Sequence, residues 1–219
     1  MNDLSSGQSF ILQLSKMDVY IEKELKEKTG RIVFFTLLLL IPNLFIKAIA
    51  LLFLSASLLV YDIRHQEIEL LYVLPFSRKE LFFYNIVFLG LIVIVTSAFG
   101  EIFSGSALIY KFEFILRSLI LLFSIFGLQM LFSEFNIDGL TFSIFAVILD
   151  AVLGSFGTTE FDSSTFNPYS LISFTRQGNL VLSLLFSFLI CFIGYWLYTR
   201  RDGEKSYVRV ANKKSKQTD

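Results

Sequence analysis

The chain has 219 residues, is 54% hydrophobic with 26 Phe, and has a mean hydropathy of +0.66. That much apolar surface excludes an ordinary soluble domain and puts the chain in the membrane class. Formal net charge is zero and no basic stripe with interleaved aromatics lies outside the tails, which excludes nucleic acid as a partner; a single Cys and a single His exclude a disulfide framework and a metal set.

Residues 1–30 are polar and charged, with no early apolar run, so they do not read as a secretory signal peptide. Within them, Phe10, Leu14, Met17, Ile21 and Leu25 recur at helical spacing and predict an amphipathic helix over 9–28. Lys16, Glu22, Lys23, Glu24, Lys26, Glu27 and Lys28 fill the rest of its surface, and Gly30 is the expected stop. A helix of this kind lies in the membrane interface, apolar face down.

Residues 31–200 read as the transmembrane domain. Its first part, 32–60, is almost wholly apolar but is broken by Pro42-Asn43 and by Lys47. It is either one long kinked span or a hairpin of two short spans, 32–43 and 46–61, turning at Pro42–Lys47. A half such as 32–42 is only about 16 Å long, against about 30 Å of hydrocarbon, so a hairpin would borrow flanking residues or thin the bilayer. Further spans are predicted over 82–100, 114–132, 139–156 and 180–199, with a polar loop over 157–178. The last span ends in Tyr195, Trp196 and Tyr198, followed by Arg200 and Arg201, the pattern of a membrane–water boundary. Residues 201–219 form a basic tail.

Charge favours the hairpin. With two spans in 32–60 and a cytoplasmic N-terminus, fifteen of the 19 Lys and Arg face the cytoplasm, and only Lys47, Lys111, Arg117 and Arg176 lie outside. A single span reverses this bias and strands Lys47 in the bilayer at a cost of about 2.5–3.5 kcal/mol. Both termini are therefore expected in the cytoplasm, as is the charged island between the second and third spans.

That island runs Asp62-Ile-Arg-His-Gln-Glu-Ile-Glu-Leu-Leu-Tyr-Val-Leu-Pro-Phe-Ser-Arg-Lys-Glu80. Asp62 to Leu74 has helical periodicity: Ile63, Leu70, Val73 and Leu74 share roughly one face, while Arg64, His65, Glu67 and Glu69 are solvated. Pro75 ends the helix at Leu74. Ser77-Arg78-Lys79-Glu80 is a capping box that restarts one into the third span.

The stretch Glu67-Ile-Glu-Leu-Leu-Tyr-Val-Leu-Pro-Phe-Ser-Arg-Lys-Glu-Leu81 resembles the cytoplasmic loop of ABC-2-type transporter permeases. The order around it is similar too: an amphipathic N-terminal helix, two spans, this loop and four more spans. The resemblance implies an all-α integral membrane fold, a six-helix transmembrane bundle with a coupling helix at 62–76. It implies a plasma-membrane exporter subunit that docks on a separate ABC ATPase through Arg64, Glu67, Glu69, Leu70, Leu74, Pro75, Ser77, Arg78 and Glu80. A second permease copy or homologue would complete the pathway, and short external helices would lie in 157–178. The chain departs from the family in its first hairpin, where permeases have fuller spans and a longer external link.

No stretch fits G-x-x-x-x-G-K-[ST], so ATP and Mg belong on the partner ATPase and this chain needs no cofactor of its own. His65 has no nucleophile or metal-binding neighbour in sequence. No convergent motif of an intramembrane enzyme appears. Asp150, inside an apolar run, is a candidate for the translocation path or sits near the outer boundary; Gln129 and Glu134 are weaker candidates. Cys191 reads as a small buried or lipid-facing side chain.

Overall fold

A computed structural model describes residues 3–64, 77–102, 108–135, 137–160 and 162–200. These residues are all-helical, apart from an isolated bridge between Thr158 and Phe166. In chain order the helices are α1 (Asp3–Leu39), α2 (Leu44–Ser57), α3 (Leu59–Arg64), α4 (Arg78–Ile102), α5 (Leu108–Glu134), α6 (Gly139–Ser155), α7 (Tyr169–Ile172) and α8 (Leu180–Arg200). Among the described residues, three helices are long and apolar enough to cross a membrane: Arg78–Gly100, Leu108–Glu134 and Leu180–Arg200. Leu44–Ser57 and Gly139–Ser155 are shorter apolar helices.

The N-terminal region departs from the sequence reading at three places. First, the helix predicted over 9–28 does reach its break at Lys28, where the backbone leaves helical values (φ −122°, ψ 18°), but instead of stopping at Gly30 the chain continues beyond the kink as helix to Leu39. Gly30 stays helical because an interior Gly costs only about 1 kcal/mol, whereas Lys28 is drawn inward by buried carboxylates. Second, the hairpin turns at 40–43 rather than over Pro42–Lys47. Asn43 starts α2 by accepting hydrogen bonds from the amides of Phe45 and Ile46. Lys47 is therefore inside α2 and fully buried; its ammonium donates to Ser97 Oγ at 2.7 Å and lies 5.1 Å from the centre of the Phe114 ring. Third, the stretch 46–61 is interrupted at Leu58 (φ −96°, ψ −124°), which separates α2 from α3.

Helix α5 is the axis of the bundle, packing on α2, α3, α4, α6 and α8. Its Ile120, Leu121, Leu122, Ile125, Phe126 and Met130 are all buried. The most extensive contact is with α8. There Gly127 and Gly194 let the two backbones touch: a Cβ on Gly127 would lie 2.7 Å from Cys191 Cα, and one on Gly194 would lie 2.7 Å from the Gly127 carbonyl. Ser124 donates to Ser187 across the same seam at 2.7 Å. Apolar side chains gain little by moving from lipid to a helix interface, so close backbone approach supplies the association. Gly127→Val and Gly194→Val should each lower stability by about 1–3 kcal/mol, and Gly30→Ala, with open space around it, should not. Thermal melting of the detergent-solubilised chain checks this; equal behaviour of the three variants would refute the close seam.

Candidate functional site

The segment 65–76, with most of the residues expected to dock, lies outside the described residues, but both of its stems are described. The first stem is α3. Its Asp62 is completely buried and accepts from Lys28 Nζ at 2.7 Å. The same ammonium lies 2.9 Å from Glu24 Oε2 and donates to the Leu58 carbonyl at 3.4 Å. Lys23 reaches Asp62 and Glu24 at 3.5 Å and Glu27 at 3.3 Å. Two carboxylates thus share two ammoniums at the α1 kink. Buried charges are tolerated only when paired in this way. The rings around them take part: Lys28 and Arg31 both lie over Tyr61.

The second stem is the start of α4. The Ser77–Glu80 capping box is formed: the Ser77 amide donates to Glu80 Oε2 at 2.7 Å, and the Glu80 amide donates to Ser77 Oγ at 3.2 Å. Glu80 also pairs with Lys16 of α1 at 3.1 Å. Arg78 donates to the Tyr198 carbonyl at 3.1 Å and stacks on that ring. Deeper in, Asn85 donates to Tyr20 Oη at 2.9 Å. The N-terminal helix is therefore fastened to both ends of the segment, through Asp62 on one side and Glu80 on the other.

The electrostatics follow from burial. Desolvation lifts the Glu24 carboxyl above its ordinary range, with Asp62 adding to the shift and Lys28 opposing it. Desolvation works against charge on Lys23, but Glu24, Asp62 and Glu27 outweigh it and raise its pKa. Tyr20 is pushed up strongly, first by burial and then by Glu24.

Of the residues expected to dock, Ser77, Arg78 and Glu80 stand together at the second stem, and Arg64 is the last residue of α3. Glu67, Glu69, Leu70, Leu74 and Pro75 lie outside the described residues, as does His65. The candidate pathway residues are both buried, on different interfaces. Gln129 clamps α5 to α2, donating to the Leu52 carbonyl and accepting from Ser55 Oγ, each at 2.7 Å. Asp150 holds the 157–178 loop against α6. It accepts from Tyr169 Oη at 2.5 Å, Ser173 Oγ at 2.8 Å, and the Thr175 amide and hydroxyl at 2.9 and 2.7 Å. Burial, with this carboxylate beside it, keeps the Tyr169 phenol well above its usual range. Both side chains thus tie elements together.

The Glu24–Lys28–Asp62 cluster was not anticipated as a site. Its signal in the sequence was the Glu24–Lys28 pair at i,i+4 spacing, which is also the signature of an ordinary solvated helix face. Comparison with protein-family models, curated proteins and solved structures finds no match.

Two outcomes follow from the cluster. Lys28→Met and Asp62→Asn should each cost about 3–5 kcal/mol, and the double variant should recover part of the combined loss. Denaturation in detergent reads the cycle, and strict additivity would show that the pair is not coupled. The second outcome concerns pH. An acid whose folded pKa is raised stabilises fully below its unfolded value, 4.5 for Glu24, and loses that contribution as pH rises through the folded value. The melting temperature of wild type minus that of Glu24→Gln should therefore fall as pH is raised from 4.5 toward neutral. A flat or rising difference would contradict the buried state of this carboxyl.

Proposed function

We propose that this chain is the membrane-spanning permease subunit of an ABC-2-type exporter, moving a substrate across the plasma membrane while a separate subunit hydrolyses ATP. The observation that carries the reading is the pair of charge-anchored stems. A segment whose sequence is rich in acidic and leucine residues connects α3 to α4, and α1 grips both of its described stems, at Asp62 and at Glu80. Force on such a segment passes into α3 through Leu59–Arg64 and into α4 through the capping box, with few soft dihedrals between.

On this reading the bundle has six spans. Three are the long helices, one is α6, and the remaining two are the hairpin made by α1 beyond Lys28 and by α2 with α3. The segment 62–76 is the coupling helix, residues 9–28 lie in the interface, and both termini are cytoplasmic. A single six-helix unit lines half a pathway, so two permease chains pair with two ATPase subunits, which hold the ATP and Mg. Closure of the ATPases pushes on 62–76 and shifts the bundle between inward- and outward-open states, by favouring one of two conformations.

A second reading, a membrane scaffold or accessory subunit that does not transport, draws on the short first hairpin. At 14 residues α2 is about 21 Å long, less than the hydrocarbon thickness of about 30 Å. The test is a mild-detergent pull-down of the tagged chain, with mass spectrometry of what co-purifies, for wild type and for Glu67→Lys/Glu69→Lys. The permease reading expects an ABC ATPase with wild type and its loss, at least tenfold, with the variant. Absence of any ATPase, under conditions that keep other membrane complexes intact, would favour the scaffold.

A further inference from the structure

Helices α1, α4 and α8 leave a groove of about 460 Å³ between them. This volume is within the about 300–1,000 Å³ range of small-molecule sites. Its floor is one face of α4, where Lys79, Phe82, Phe83 and Ile86 follow at helical spacing. Met17 of α1 and Tyr195 of α8 form the sides. The groove is apolar along its length and cationic at one end.

Two observations identify what fits it. The first is depth. The groove lies beside the end of α8, where Trp196 carries the Arg200 guanidinium 4.1 Å from its ring and Tyr198 carries that of Arg78. Aromatic rings capped by arginines sit at the boundary between headgroups and acyl chains. The second is charge. Glu80 at the groove is matched by Lys16, but among the described residues the exposed Lys79 pairs with no carboxylate. The groove thus offers apolar walls below the headgroup level and one uncompensated ammonium at it.

We propose that this groove binds one anionic glycerophospholipid, with an acyl chain along Phe83, Ile86 and Met17 and the headgroup phosphate at Lys79. The assignment needs only the groove that α1, α4 and α8 form at the membrane boundary and is independent of the exporter reading. A lipid held here would bridge α1 and α4, the two helices already tied by Lys16–Glu80.

The test is native mass spectrometry of the delipidated full chain in detergent, titrated with phosphatidylglycerol and, separately, with phosphatidylcholine of the same acyl chains. Wild type should retain one phosphatidylglycerol about fivefold more tightly than phosphatidylcholine, since one lysine near an anionic surface contributes about that factor. Lys79→Gln, a change at an exposed side chain, should erase the preference and leave phosphatidylcholine binding unchanged. Ile86→Trp should block retention of either lipid. Equal retention of the two lipids by wild type, or a preference that survives Lys79→Gln, would overturn the proposal. So would an Ile86→Trp variant that keeps its lipid, or one whose only effect is to dissociate a dimer; the last would assign the groove to a second copy of the chain.

Discussion

The Lys28 ammonium lies between two buried carboxylates, Glu24 on its own helix and Asp62 on α3, and this arrangement decides the course of the first sixty residues. A lysine one turn after a glutamate would ordinarily remain on the outside of a straight helix. Here the helix bends at Lys28, and the bend brings both partners into contact with it. Leaving either carboxylate alone in this setting would strand a buried charge, so the kink, the seating of α3 and the break at Leu58 stand or fall together. The Leu58 carbonyl, which accepts from the Tyr61 and Asp62 amides at the start of α3, also accepts from Lys28 at 3.4 Å. The pair contributes definition more than net stability, because the desolvation of four charged groups offsets much of their attraction.

The rest of the bundle follows the same rule with weaker groups. In an apolar bundle, side chains such as Leu and Phe pack almost equally well in several registers, and lipid competes for their surface. Polar side chains remove that freedom. Gln129 fixes α5 on α2, Ser124 fixes it on α8, Lys47 ties α2 to Ser97 of α4, and Asp150 gathers the loop before α8. Each sits at a buried helix contact with its partners a hydrogen bond away. The glycine seam between α5 and α8 then sets how close the backbones come.

Much of this was legible in the sequence. The helices at 139–156 and 180–199 stand almost where their apolar runs put them, because a run bounded by a capping Asp138 or by terminal aromatics and arginines has few ways to end. The Ser77–Glu80 box was legible because its geometry is local. What was not legible depends on distant partners. Nothing near Lys47 says that Ser97 and Phe114 will surround it, and its charge argued for an exposed turn. Gly30 looked like a stop, yet the backbone change is at Lys28, whose reason lies 34 residues away in Asp62. Asp150 and Gln129 stand out in the sequence as polar groups in apolar runs, but nothing beside Asp150 says that Tyr169, Ser173 and Thr175 will donate to it.

Helix α1 is common to both stems of the charged segment and to the groove. It holds Asp62 at one exit of the charged segment and Glu80 at the other, and its Met17 walls the groove beside α4. If a partner pulling on 65–76 changes the angle at Lys28, the Lys16–Glu80 contact must follow, since both belong to one helix. The groove would then open or narrow. Coupling of this kind is reciprocal: a lipid that favours one angle favours the partner that selects the same angle, by the same free energy. The N-terminal helix would in that case connect the state of the charged segment to the state of the groove. The cluster at Lys28 is central to that exchange, because the helix axis changes direction there and Asp62 is held there, while the same helix holds Glu80 through Lys16.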